Sequence, residues 1–318
     1  HREGPNSSRW VSLALDPPYG NVVNLREDSR MAHLVQVGAG SGGMPVLDML
    51  CRDRRITRVT LIEPDVYKAH NVERHLFPVS AVGQRKADLA ERWLKERRPD
   101  LEVRLLVCDV AAPERQAEIE QAVASADIGV CAADNESAKY HWDALMRRHG
   151  KPWTLGEVLS GGIGGFVHWF TPGGPCYGCT ASHLQRTVVV DNSPPPDYAN
   201  PGGAVPETTI PAGMASIHAI GSLHALVTLG LLADPTGYGP GFTSLLLALQ
   251  RTADVFEEAF RPYRFRVPRA ADCLICRMPP LTPSPSPPGG AGEGARGPSS
   301  LEDLDVALDE ALARLGHE

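Results

Sequence analysis

The stretch His-Leu-Val-Gln-Val-Gly-Ala-Gly-Ser-Gly-Gly, from His33 to Gly43, limits this chain more than any other. Leu34 to Val37 reads as a short strand that runs into a glycine cluster, and Met44 to Leu50 behind it is helix-compatible and apolar. Strand, tight turn and helix start follow without a spare residue. Gly38 is free to take a backbone conformation closed to other residues, Gly40 lets a phosphate approach the main chain, and Gly43 lets the helix lie close to the strand. Gly42 completes the turn. Such a turn offers an anion the N–H groups and dipole of a helix N-terminus, which predicts nucleotide binding and leaves the nucleotide open.

Bulk properties narrow the field. A chain of 318 residues with 42% hydrophobic and 22% charged content is an ordinary globular protein with one large core or two modest ones. A net charge of -7 leaves no basic surplus for nucleic-acid phosphates. Four of the seven cysteines stand in two Cys-x-x-Cys pairs, a usage that fits metal ligation in a reducing, cytoplasmic setting better than a secreted disulfide framework. Thr208 to Ala233 carries no charged residue, but its glycines, Pro211 and two histidines predict a buried helix, not a membrane span.

Along the chain, residues 1–30 read as an N-terminal extension or linker. From 31 to about 150 strands alternate with helices: strands 34–37, 59–63, 103–107 and 128–132, and helices from about 43, over 83–97, 113–124 and 136–149. This alternation predicts an α/β, Rossmann-like, mostly parallel sheet with helices on both faces. A mixed or antiparallel second half follows, with strands at 166–170 and 263–267 and a proline-rich loop over 182–209. Residues 31–280 form one domain, 281–299 a Pro/Gly/Ser-rich linker, and 300–318 an amphipathic helix whose Leu301, Leu304, Leu308, Leu312 and Leu315 share a face. That helix docks either on a partner or on its own domain.

Chemistry collects at the carboxyl edge of the predicted sheet. Glu63 and Asp65 end the second strand about 20 residues past the glycines, where a carboxylate can accept ribose hydroxyls. Asn71, Arg74 and Lys86 follow on loops or helix starts at the same edge. An arginine and a lysine together suit a triphosphate; a dinucleotide does not require both. Asp134-Asn135 closes the fourth strand, and with the glycines and cations beside it a magnesium ligand is the better reading of Asp134 than a helix cap. Cys176/Cys179 and Cys273/Cys276 fit a tetrahedral four-thiolate zinc site, or else four reduced buried cysteines.

These residues resemble the adenylyltransferases that activate ubiquitin-like and sulfur-carrier proteins, among them the molybdopterin-synthase and thiamine-synthesis activating enzymes and the adenylation half of ubiquitin-activating enzymes. The resemblance spans about 31–280 and rests on the glycine turn, Glu63-x-Asp65, Asn71-x-x-Arg74, Val82-Gly83-Gln84-x-Lys86, Asp134-Asn135 and the paired Cys-x-x-Cys motifs. It implies that a partner's C-terminal Gly-Gly carboxylate attacks the α-phosphate of ATP. Glu63 would hold the ribose, Asn71, Arg74 and Lys86 would meet the phosphates, Asp134 would hold magnesium, and the four cysteines would hold a structural zinc. A homodimer is expected from the uncharged helix and from the family.

The likeness has a gap. Members that form a thioester or a persulfide carry a cysteine in the loop before the uncharged helix, and this chain has none between Cys179 and Cys273. His75 stands where glutamine is common. Two further readings are a catalytically silent binding or scaffold member, opposed by the joint presence of Arg74, Lys86 and Asp134, and an NAD-dependent oxidoreductase, opposed by the lack of a catalytic acid or base beside the turn.

Overall fold

The first strand, β1 (Ala32–Val37), is buried at every position, as a strand covered on both faces must be. The computed structural model describes residues 31–184, 212–235 and 241–277. Around β1 lie β2 (Ile56–Ile62), β3 (Glu102–Leu106), β4 (Ile128–Cys131), β5 (Trp153–Val158), β6 (Gly164–Phe170), β7 (Ser244–Ala248) and β8 (Pro262–Phe265). They form one eight-stranded sheet in the order β3-β2-β1-β4-β5-β6-β7-β8. Neighbours are parallel from β3 to β5 and antiparallel from β5 to β8. The strand order reverses between β1 and β4, so the crevice at their carboxyl ends is where such a sheet takes a ligand.

Two apolar layers cover the sheet. On one face α1 (Gly43–Cys51), α2 (Lys86–Arg97) and α6 (Met214–Ala233) pack on Leu34, Val59, Leu61, Ile128 and Val130. On the other, α3 (Gln116–Ser125), α4 (Glu136–Arg148) and α5 (Tyr177–His183) pack on Val35, Val37, Ile62 and Cys131. Ala138, Trp142, Leu145 and Met146 give α4 its buried stripe at helical spacing. A last short helix, α7 (Leu274–Arg277), brings the second cysteine pair to α5.

The sheet is the predicted α/β, Rossmann-like one, and several boundaries move. The helix expected from 83 starts at Lys86, because Gly83 takes a positive φ of 92° and donates its N–H to the Tyr67 carbonyl. The helix expected from 113 opens with a 3-10 turn at Pro113–Arg115. Residues 182–183, expected in the long loop, close α5 with Leu184 as its C-cap, and residues 185–209 of that loop lie outside the described residues, as do residues 1–30, 281–299 and 300–318. β5 and β7 are additions to the expected list. Helix α6 is long and apolar enough to cross a membrane, yet it packs on α1, β5 and β6. It is buried on one side only, since Leu226 on its outer face is 66% exposed.

Candidate active site

The glycine turn is held from three directions. Gln36, which with His33 is one of two buried polar residues in β1, donates from Nε2 to the carbonyls of Gly38 and Gly43, both at 2.8 Å. Glu63, at the end of β2, accepts the Ala39 N–H on Oε2 at 2.5 Å and the Asp65 N–H on Oε1 at 2.9 Å. His75 donates from Nε2 to the Ala39 carbonyl at 2.9 Å, while its Nδ1 accepts the Phe77 N–H, which fixes the tautomer. Ala39 is thus tied at both of its polar groups.

Glycine is required here for two separable reasons. Gly38 has φ +91°, and a Cβ on it would stand 2.7 Å from the Ala132 carbonyl oxygen after β4. A Cβ on Gly43 would stand 2.4 Å from the Gly38 carbonyl oxygen, so helix and strand touch. By contrast, nothing lies within 4 Å of a Cβ built on Gly40, which leaves room for a ligand.

The cations arrive on the neighbouring loop. Lys86 is buried, and its Nζ donates to Asp65 Oδ2 at 2.8 Å, while its N–H donates to the Asp65 carbonyl at 2.9 Å. Asp65 itself stays 59% exposed, so the pair opens to solvent through the carboxylate. Asn71 is buried and accepts the Lys68 N–H on Oδ1. Arg74, half-buried, follows in the same loop with its N–H on the Asn71 carbonyl. Burial pushes His75 down to about 4 against the pull of the Ala39 carbonyl, and the charges of Lys86 and Arg74 push the same way. Burial raises the Glu63 carboxyl, and Lys86 with the two N–H donors offsets part of that rise. Lys86, Arg74, Glu63 and His75 therefore share one electrostatic neighbourhood at the glycine turn.

Asp134 lies beyond β4, on the other side of the crevice, and is exposed. The residue that caps α4 is Asn135, whose side chain accepts the Ala138 N–H at 3.3 Å. Asn135, predicted to touch nucleotide, thus spends its oxygen on the helix and frees Asp134 from capping. Glu63 differs likewise from expectation: both oxygens, foreseen for a ribose, already take backbone N–H groups, and the side chain is buried. Two contributors went unread in the sequence. The signal for Gln36 was a polar residue in an apolar strand, and that for His75 was its unusual place after Arg74.

The four cysteines do meet. Their Sγ atoms lie within 4.8 Å of one another, with Cys176–Cys179 at 3.7 Å, Cys176–Cys273 at 3.5 Å and Cys179–Cys276 at 3.4 Å. A zinc ion bound by four thiolates at its usual distance sets its sulfurs about 3.8 Å apart, whereas a disulfide needs about 2 Å. The donor set and spacing fit zinc, and no disulfide joins these cysteines. Cys51, Cys108 and Cys131 are separate from the cluster and buried, and burial pushes the Cys131 thiol up to about 12.

Residues 22–265 match the ThiF family. The chain belongs to the ThiF family. The SAMP-activating enzyme E1 of Haloferax volcanii is 26% identical over 285 residues, which cover 89% of this chain and 87% of that one. The sulfur carrier protein adenylyltransferase of Thermus thermophilus is 28% identical over 281 residues, 84% of this chain and 93% of that one. Adenylyltransferase is the enzyme class that the sequence implied, and these relatives bear it out. Among solved structures, E. coli MccB with ATP superposes with a TM-score of 0.60 at 17% identity, covering 78% of this chain and 68% of that one. MccB in complex with N-formylated MccA gives 0.58 at 18% identity, covering 77% and 67%. At these identities the two structures speak for the shared fold alone.

Proposed function

We propose that this ThiF-family chain adenylates the C-terminal glycine carboxylate of a ubiquitin-like or sulfur-carrier protein ending in Gly-Gly. A carboxylate oxygen of the partner attacks the α-phosphorus of ATP, the bond to the β-phosphate oxygen breaks, and acyl-adenylate and pyrophosphate are the products. No general base is needed, because the carboxylate is already ionised near neutral pH. Catalysis is then alignment and charge stabilisation. The open part of the glycine turn receives phosphate, Lys86 and Arg74 offset the charge that gathers on the departing pyrophosphate, and the Asn71 amide donates beside them. Glu63 reaches a ribose only through lone pairs left over from its two N–H bonds, so Asp65 is the more accessible acceptor. Asp134 would hold magnesium, which when bound would neutralise triphosphate charge.

Cys176, Cys179, Cys273 and Cys276 would hold zinc in a closed, structural site with no open position. With no cysteine between Cys179 and Cys273, the reaction stops at the adenylate or passes to a thiol elsewhere. Residues 31–280 are the adenylating unit in this reading. We place it in the cytoplasm, where thiolates remain reduced. A second copy would cover the outer face of α6, which is uncharged and exposes Met214 and Leu226.

The observation that carries the reading is a glycine turn braced by Glu63 and His75, with buried Lys86 on Asp65 beside it, in a chain of this family. ATP–pyrophosphate exchange with candidate Gly-Gly partners tests it, run beside Asp134→Ala. Exchange that needs the partner and drops with the variant is expected. A genuine partner that supports no exchange, or a variant as active as the parent, overturns the reading.

A further inference from the structure

The thiol cluster and the Asp134 loop are joined by one residue that neither site explains. Tyr177, between Cys176 and Gly178, is fully buried at the start of α5. Its hydroxyl donates to Glu136 Oε2 at 2.7 Å, and its N–H donates to Asp143 Oδ1 at 3.2 Å. Its ring meets Tyr140 edge-on at 5.0 Å. One residue flanked by a metal-ligand candidate therefore grips α4 at three points over its first two turns. Glu136 is the first residue of α4, directly after the Asn135 cap and one further from Asp134.

The grip continues into the sheet. Glu136 Oε1 accepts from Lys139 Nζ at 2.6 Å, and the same Nζ donates to Glu157 Oε1 at 2.7 Å on β5. Lys139 is buried; burial alone would lower its pKa, but Glu157 and Glu136 outweigh that and raise it. It therefore stays charged and can hold both carboxylates in place. At the other end, α5 has only seven residues and begins at the cysteine pair. A helix of two turns has little stability of its own, so Tyr177 is held from outside α5, by the core around it, with the Phe170 ring 6.5 Å away, and by the cluster that Cys176 and Cys179 share with Cys273 and Cys276.

We propose that Tyr177 is a positioning residue: metal loading of the four-cysteine cluster sets Tyr177, and Tyr177, through Glu136, holds the first turn of α4 and with it Asp134. The inference rests on the adenylation reading for its catalytic consequence, though not for its structural one. Zinc would then govern how well the far side of the crevice is ordered without touching substrate.

Hydrogen exchange on the full-length, zinc-loaded chain tests it at the amides of Ala138 and Lys139, both held by Asn135. Tyr177→Phe keeps the ring and the N–H to Asp143 and removes only the hydroxyl. The expected result is unchanged zinc content, a thermal midpoint within a few degrees of the parent, and exchange at those amides about three- to tenfold faster, the worth of a hydrogen bond to a half-exposed carboxylate. The KM for magnesium-ATP rises by a similar factor. Chelating zinc from the parent gives the same acceleration, and chelation adds nothing further in the variant. Should Tyr177→Phe lose zinc or fail to fold, Glu136→Ala reads the link from its other end, with the parent's zinc content and the same fast exchange expected. In the double variant the effects do not add. Unchanged exchange in the zinc-loaded single variants, or simple additivity, overturns the proposal. Failure of pyrophosphate exchange with every partner would instead count against adenylation and leave the hydrogen-exchange result standing.

Discussion

His75→Gln separates a structural brace from a proton. In the folded chain burial holds His75 down to about 4, against an ordinary value of 6.5. Between these pH values the unfolded chain takes up a proton that the folded chain refuses. Stability present above pH 6.5 is therefore lost as pH falls toward 4. The gap is worth roughly 3 kcal/mol when fully developed, and about 2 kcal/mol at pH 5. Glutamine cannot titrate, yet its amide can donate to the Ala39 carbonyl as Nε2 does. Loss of the Nδ1 acceptor for Phe77 gives an offset that does not vary with pH. Denaturant unfolding of both chains at pH 8 and pH 5 is the assay, and the parent should lose about 2 kcal/mol relative to the variant over that interval. Burial also holds His224 down to about 4 and raises Asp143 to about 6, but both chains carry these groups and the difference cancels them. Parallel stabilities at the two pH values would refute the reasoning, because His75 would then not be neutral and buried in the fold.

Gly43→Ala places a methyl 2.4 Å from the Gly38 carbonyl oxygen, backbone against backbone, so unfolding should become easier by about 2–4 kcal/mol in denaturant titration. Gly40→Ala, with open space around it, should leave stability within about 1 kcal/mol of the parent while weakening nucleotide binding in calorimetry. Lys86→Met should keep the fold and cut pyrophosphate exchange by about two to three orders of magnitude, the usual cost of one charge-stabilising group. Cys276→Ser removes one thiolate of a closed set; metal analysis should find less than one zinc per chain, and the thermal midpoint should fall by several degrees.

What was legible in the sequence was what one residue type at one position enforces. The turn at Gly38 and Gly43 could be read because no other residue fits, β1, β2 and β4 because buried parallel strands are mostly apolar runs, and β3, at the sheet edge, because Glu102 and Arg104 alternate with Val103 and Leu105. β5 was hidden by its own packing: Gly156 sits where a Cβ would come within 2.5 Å of His224 on α6, and Glu157 points to the Lys139 network. Neither residue favours a strand alone. β7 is an apolar run too short to distinguish from a helix segment. At the site, residue types marked Glu63, Arg74, Lys86 and Asp134, but which atom faces what was not readable. Asn135 and Asp134 are adjacent, and only backbone geometry decides which one caps the helix.

The three braces on the turn also say where an anion can go. Burying Gln36, Glu63 and His75 is costly, and each is offset by specific bonds to Gly38, Ala39 or Gly43, with Glu63 and His75 taking a second from the Asp65 and Phe77 N–H groups. Glu63 consumes the Ala39 N–H, and Met44 turns its own N–H back on the Gly40 carbonyl. Among the described residues, the N–H groups left at the turn are those of Gly40, Ser41, Gly42 and Gly43, clustered at the start of α1. A carboxylate buried directly behind them opposes an anion unless cations stand nearby, and Lys86 already offsets Glu63. In the proposed reading, where the turn takes a phosphate, the turn and the lysine would work as one device: without the charge of Lys86, Glu63 would repel the phosphate that the four N–H groups would attract.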